Sequence, residues 1–187
     1  MDPSSVVNPF ALFGLKPTFE IDGQQLAETF RSLQRVVHPD RFANASDQER
    51  RQSVEQAAAV NDAYQVLRDP VLRGRSLLAL RGVDAKEDAG TFQDTAFLME
   101  QMELRERLGD IRESSDPFRL LVEIKELLRE RRVAMINEVS AFFRTDTPEA
   151  WSQAAEKIRQ LRFFDRLTEE AITLEDRYYC SPSGSAD

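Results

Sequence analysis

The chain has 187 residues, of which 41% are hydrophobic and 31% charged, with only 7 Gly and 8 Pro, a balance that favours one or two small helical domains and excludes a large multi-domain enzyme. A net charge of −8 argues against nucleic acid or an anionic membrane as the principal partner and points to a protein. One cysteine, Cys180, and one histidine, His38, supply neither an internal disulfide nor the four ligands of a structural zinc site, so no metal and no cofactor is expected.

The N-terminus, Met1-Asp2-Pro3-Ser4-Ser5, lacks a basic stretch followed by an apolar core, and no apolar run approaches the roughly 20 residues that span a bilayer, so a cytoplasmic protein is expected. Leu26, Phe30, Leu33 and Val37 then recur at spacings of four, three and four, one face of an amphipathic helix whose other face carries Arg31 and Arg35. Pro39 stops that helix and pushes His38 out of helical geometry. After a short polar loop, Ser46 and Glu49 predict a capping box for a second long helix through Val54, Ala57, Val60, Tyr64 and Leu67, closed by Asp69-Pro70. A shorter helical stretch follows with Val71, Leu72, Leu77, Leu78 and Leu80.

Charge divides the chain. Residues 1–82 hold ten basic and ten acidic side chains, whereas 83–187 hold fifteen and twenty-three, as two different modules would. The polar, glycine-bounded stretch from Gly82 reads as a connector, giving a first module over 1–81, a connector over 82–93, a second module over 94–180 and a loose tail over 181–187. Three helical patterns fill the second module: Asp94 to about Ile111, Pro117 to Phe143, and Pro148 to Tyr179, with prolines placed near helix starts. Trp151, Ile158 and Leu161 are expected in the core. The fold class is all-α, a helical hairpin followed by a three-helix bundle.

Two features go beyond packing. His38-Pro39-Asp40 occupies the loop between the two long helices of the first module, where His38 meets the negative end of a helix dipole and Asp40 offers a carboxylate to a partner's cation. On the helix starting near Asp94, Phe97, Gln101, Leu104, Leu108 and Ile111 gather on one side, and Leu98, Met99, Met102, Glu103, Glu106 and Asp110 on the other. Both sides cannot face one small core. Either Leu98 and Met102 broaden the core stripe or pack on the first module, or they form a protein-binding patch.

His38-Pro39-Asp40 within this helical context resembles the J domain, over roughly residues 8–75. Phe10-Ala11-Leu12-Phe13-Gly14-Leu15, His38-Pro39-Asp40-Arg41-Phe42, the segment Asp94 to Gln101 and Leu161-Arg162-Phe163-Phe164-Asp165 together resemble the HscB-type J-domain co-chaperones of iron–sulfur cluster assembly across nearly the whole chain. The resemblance implies a non-enzyme that stimulates the ATPase of a heat-shock-type (HscA-like) chaperone through Arg31, Arg35, His38, Pro39, Asp40 and Arg41. It also implies binding of an iron–sulfur cluster scaffold protein (IscU-like) through Leu98, Met99, Met102, Glu103, Glu106, Asp110 and Phe163, with Phe164 as the competing choice for the exposed ring. Many relatives have Lys where Arg41 stands, and Asp110 replaces a Glu. Consistent with a non-enzyme, the sequence has no glycine-rich phosphate loop. A J-protein for another client, or a helical adaptor without stimulating activity, is the alternative.

Overall fold

Asp22 accepts the amides of Gln24 and Gln25 at 2.8 and 3.1 Å and thereby opens α2 (Gly23–Val37), which ends where the residue before Pro39 turns extended, His38 having φ −61° and ψ 128°. The computed structural model describes residues 8–42, 45–83, 85 and 94–180, apart from the side chains of Arg112, Tyr179 and Cys180, and among these it has helices and no strand. Apart from residues 82, 83 and 85, the expected connector lies outside the described residues, as does the expected tail. A short helix α1 (Pro9–Leu12), which the sequence patterns did not mark, precedes α2; it is capped by Asn8 and buries Phe10 completely.

The predicted capping box is present at α3 (Asp47–Arg68). The Ser46 amide and hydroxyl donate to Glu49 Oε2 at 2.9 and 2.7 Å, and the Glu49 amide returns a bond to Ser46 Oγ at 3.3 Å. These bonds hold the Glu49 carboxyl below its usual pKa. Phe30 stacks on Tyr64 with ring centres 4.0 Å apart, and the Gln34 amide donates to Asn61 Oδ1 at 2.9 Å. Contacts between 30 and 64 and between 34 and 61 make α2 and α3 an antiparallel hairpin. Val54 stands on the solvent side of α3 rather than on the expected inner face, because Ser53 holds the inward position one residue earlier. α4 (Pro70–Leu80) begins with its proline at the first helical position, and Asp69 accepts the Leu72 amide. It ends at Gly82, whose φ of 73° lets its amide reach Ala79 and the Val83 amide reach Leu78. Val71, Leu77 and Leu78 of this helix are buried, and Leu80 is exposed.

The second half is an up-down-up bundle of α5 (Thr95–Gly109), α6 (Pro117–Thr145) and α7 (Pro148–Cys180). α5 stops two residues earlier than periodicity suggests and passes into a 3₁₀ turn at Asp110–Glu113. Lys125 pairs with Glu175, Arg132 with Asp165 and Lys157 with Glu138, so α6 and α7 run antiparallel. Between them lie fully buried Leu121, Ile124, Leu128, Ile158, Leu161 and Phe164, each contributing on the order of 1.5 to 3 kcal/mol of apolar burial. Trp151 is only half-buried, a departure from its expected core position. Its indole N–H donates to Asp146 Oδ1 at 3.0 Å, a bond that holds it at the bundle's end.

The halves share one core. α4 packs along α7 so closely that a Cβ on Gly74 would sit 2.6 Å from Ile158 Cδ1. Phe19, between α1 and α2, stacks on Phe143 at 5.3 Å beneath the Arg73 guanidinium. Ser140 donates to Glu20 Oε1 at 2.6 Å, and Arg81 reaches from α4 to Asp146 with Nη2 at 2.8 Å from Oδ1.

Candidate functional site

The His38-Pro39-Asp40 tripeptide is not an irregular loop: Pro39–Phe42 forms a 3₁₀ turn, closed by the Arg41 amide donating to the His38 carbonyl at 3.0 Å. A proline's fixed φ ends α2 and equally starts a new helical turn. The imidazole is 58% exposed and the Asp40 side chain 90%. The Asp40 amide donates to His38 Nδ1 at 3.3 Å, which fastens the imidazole to the turn and leaves Nε2 facing outward. Asp40 Oδ2 lies 3.6 Å from Nδ1, and the carboxylate is otherwise open to solvent.

Arg41 ties the turn down, donating from Nη1 to the Arg35 carbonyl at 3.1 Å, near the end of α2 where carbonyls lack helical partners. Arg35 Nε in turn reaches the Arg31 carbonyl at 3.3 Å. Arg31 and Arg35 are exposed beside the turn, on the face opposite Leu26 and Val37. The described geometry brings Arg31, Arg35, His38, Pro39, Asp40 and Arg41 into one surface.

A second surface lies on α5. Phe97, Leu104, Leu108 and Ile111 are all buried, whereas Leu98, Met99 and Met102 are 36, 61 and 72% exposed. Glu103, Glu106 and Asp110 are exposed around them. Of the two adjacent rings on α7, Phe164 is fully buried, and Phe163 is half-buried at the rim, edge-on to Phe97 at 5.8 Å. Phe163 is therefore the ring that borders Met102's face. Arg105, which sequence periodicity did not single out, places its guanidinium 5.5 Å from the Phe163 ring centre. A cation three residues after Met102 on the same stripe was the available signal.

An exposed His-Pro-Asp turn on a helical hairpin, joined to a helical bundle with an outward apolar face, is the build of a J-domain co-chaperone. The model of the HscB C-terminal oligomerisation domain matches residues 93–172. A curated co-chaperone HscB homologue of Shewanella sp. (strain MR-4) is 44% identical over 91% of this chain and 98% of its own length, and that of Shewanella woodyi 42% identical over 92% and 99%. Among solved structures, the chaperone HscB from Vibrio cholerae superposes with a TM-score of 0.80 at 40% identity, over 92% of this chain and 99% of that one. Human co-chaperone HscB superposes with a TM-score of 0.83 at 28% identity, over 94% and 85%. The chain belongs to the HscB family, and its role is that of a co-chaperone in iron–sulfur cluster assembly. The relatives are named as co-chaperones rather than enzymes.

Proposed function

We propose that residues 1–81 act as the J domain, stimulating the ATPase of an HscA-like chaperone through Arg31, Arg35, His38, Pro39, Asp40 and Arg41. Residues 94–180, joined by the connector 82–93, bind an IscU-like scaffold protein through Leu98, Met99, Met102, Glu103, Glu106, Asp110 and Phe163. The observation that carries this reading is the outward display of Leu98, Met99 and Met102 opposite a buried stripe on the same helix. Single exposed apolar side chains are ordinary, but three clustered on one helix face form a patch of the kind that binds proteins, and an acidic rim beside them favours a partner with basic groups. Simultaneous binding raises the scaffold's effective concentration at the chaperone without any conformational signal. No helix among the described residues is long and apolar enough to cross a membrane, and the cytoplasm is the proposed compartment.

One set of proteins tests both halves. His38→Gln should retain the wild-type circular-dichroism melt and scaffold affinity while losing ATPase stimulation. Replacing Leu98, Met99 and Met102 with Ala should spare stimulation of the chaperone alone and weaken scaffold binding by roughly 10² to 10⁴, for a loss of about 3 to 5 kcal/mol. Leu104→Ala is the core control and should lower the melting temperature. Full stimulation by His38→Gln, or wild-type scaffold affinity in the triple variant, would reject the corresponding half of the reading.

A further inference from the structure

The α5 face does not end at Met102. Leu98, Met102, Arg105 and Gly109 recur at spacings of four, three and four and form one stripe. Arg105 lies over Phe163, so this stripe borders α7. Just beyond, a groove of about 520 Å³ opens between the two helices, lined by Arg105, Leu108, Gly109, Glu170 and Leu174.

Its chemistry is two-sided. Leu108, Leu174 and the bare backbone of Gly109 form the apolar part, and a Cβ built on Gly109 meets nothing within 4 Å. Among the described residues Glu170 is exposed and forms no ion pair, and Arg105, the cation that lines the groove there, is engaged over the Phe163 ring. Exposed Glu106 and Asp110 add negative charge on the same helix. A purely apolar side chain would leave Glu170 facing it unpaired. A long basic side chain matches both parts, since its methylene stem covers apolar surface while its head group stays with the carboxylate.

We propose that this groove is a specificity subsite of the scaffold-binding face and takes a lysine or arginine side chain of the iron–sulfur scaffold protein. The stem lies along Leu108, Gly109 and Leu174, and the charge meets Glu170. The proposal rests on the reading that Leu98, Met99 and Met102 bind the scaffold, because the groove is continuous with that face through Arg105 and Phe163.

Gly109 gives a test that leaves the fold alone. It is helical, with φ −63° and ψ −40°, and its surroundings are open, so Gly109→Leu fills the groove while raising helix propensity. The full-length chain and its variants are titrated with purified scaffold protein at two salt concentrations, with thermal melts and chaperone ATPase assays alongside. Gly109→Leu and Glu170→Gln are each expected to weaken scaffold binding about tenfold, with the melting temperature unchanged or raised for the first. Both should leave stimulation of the chaperone alone at the wild-type level, and Glu170→Gln should flatten the salt dependence. Wild-type affinity in both variants, with binding lost in the Leu98/Met99/Met102 triple alanine protein, would overturn the groove and leave the face standing. Loss in Gly109→Leu with none in Glu170→Gln would overturn the basic occupant. Wild-type affinity in the triple alanine protein would remove the face itself, and the groove with it.

Discussion

Arg41 shows how much of the tripeptide's presentation depends on a neighbour. Its guanidinium donates to the Arg35 carbonyl at 3.1 Å while its own amide closes the turn on His38 at 3.0 Å, so one residue ties the turn back to the end of α2 at two points while its working groups stay in solvent. Arg41→Ala is expected to cut ATPase stimulation several-fold by loosening the turn, with little change in the melt, because exposed side chain-to-carbonyl bonds contribute only about 0.5 to 1.5 kcal/mol. Arg41→Lys should recover part of the stimulation, since an ammonium reaches the same carbonyl without the planar fork. Assays of both variants beside wild type, with circular-dichroism melts, check this. The exposure of His38 and Asp40 was legible in the sequence because Pro39 forbids continuation of α2. The 3₁₀ turn was not, since four residues carry no periodicity and proline serves equally as a stop and a start. Periodicity also could not place Val54 or Trp151, whose positions depend on which neighbour takes the inner site and on where Asp146 sits.

At the scale of elements, the starts of α3, α6 and α7 were readable because each rests on local chemistry. Ser46 and Glu49 cap α3, and Pro117 and Pro148 open α6 and α7, whereas Pro70, read only as the stop of α3, also opens α4. What joins the elements was not readable, because its partners lie far apart in sequence. Asp146, at φ 53° and ψ 42°, ends α6 in left-handed geometry and accepts from Arg81 Nε and Nη2 and from the Trp151 indole. Arg81 meanwhile lies over the rings of Phe143 and Trp151, at 5.7 and 5.3 Å. The Arg81 hydrogen bonds, helped by the Trp151 N–H, hold the Asp146 carboxyl below its usual pKa. A depressed carboxyl pKa contributes stability that is present above the unfolded value of about 3.9 and lost as pH falls through the lower folded value. Asp146→Asn is therefore expected to melt below wild type at pH 7, with the gap closing as the pH drops below about 4. Asn tolerates the left-handed backbone, so the comparison isolates the charge. Melts from pH 7 to pH 3 provide the measurement, and a gap independent of pH would assign the effect to packing.

Across the whole molecule, charge and composition suggested two modules, and the core that runs through both is what the sequence concealed. Its tightest point is Gly74, where an added Cβ would lie 2.6 Å from Ile158 Cδ1 and 3.4 Å from the Phe19 ring. Glycine at a helical position ordinarily costs up to about 1 kcal/mol relative to alanine; here it lets α4 approach α7. Ile158 is fully buried and Phe19 nearly so, so neither side chain can swing into solvent to make room. Gly74→Val should force the helices apart and destabilise the protein by about 1 to 3 kcal/mol, the usual range for overpacking. Ile158→Ala alone should also destabilise, by about 2 to 5 kcal/mol for the cavity it leaves. The double variant should be more stable than the two losses added together, since the valine occupies part of the space the isoleucine vacates. Wild type should unfold in one calorimetric transition because its halves share a core, whereas Gly74→Val should broaden that transition or split it in two. Strict additivity of the two substitutions would show that α4 and α7 are not coupled at this point. An unchanged single transition in Gly74→Val would show that the remaining contacts, Phe19 on Phe143 and Arg81 on Asp146, suffice to hold the halves in one cooperative unit.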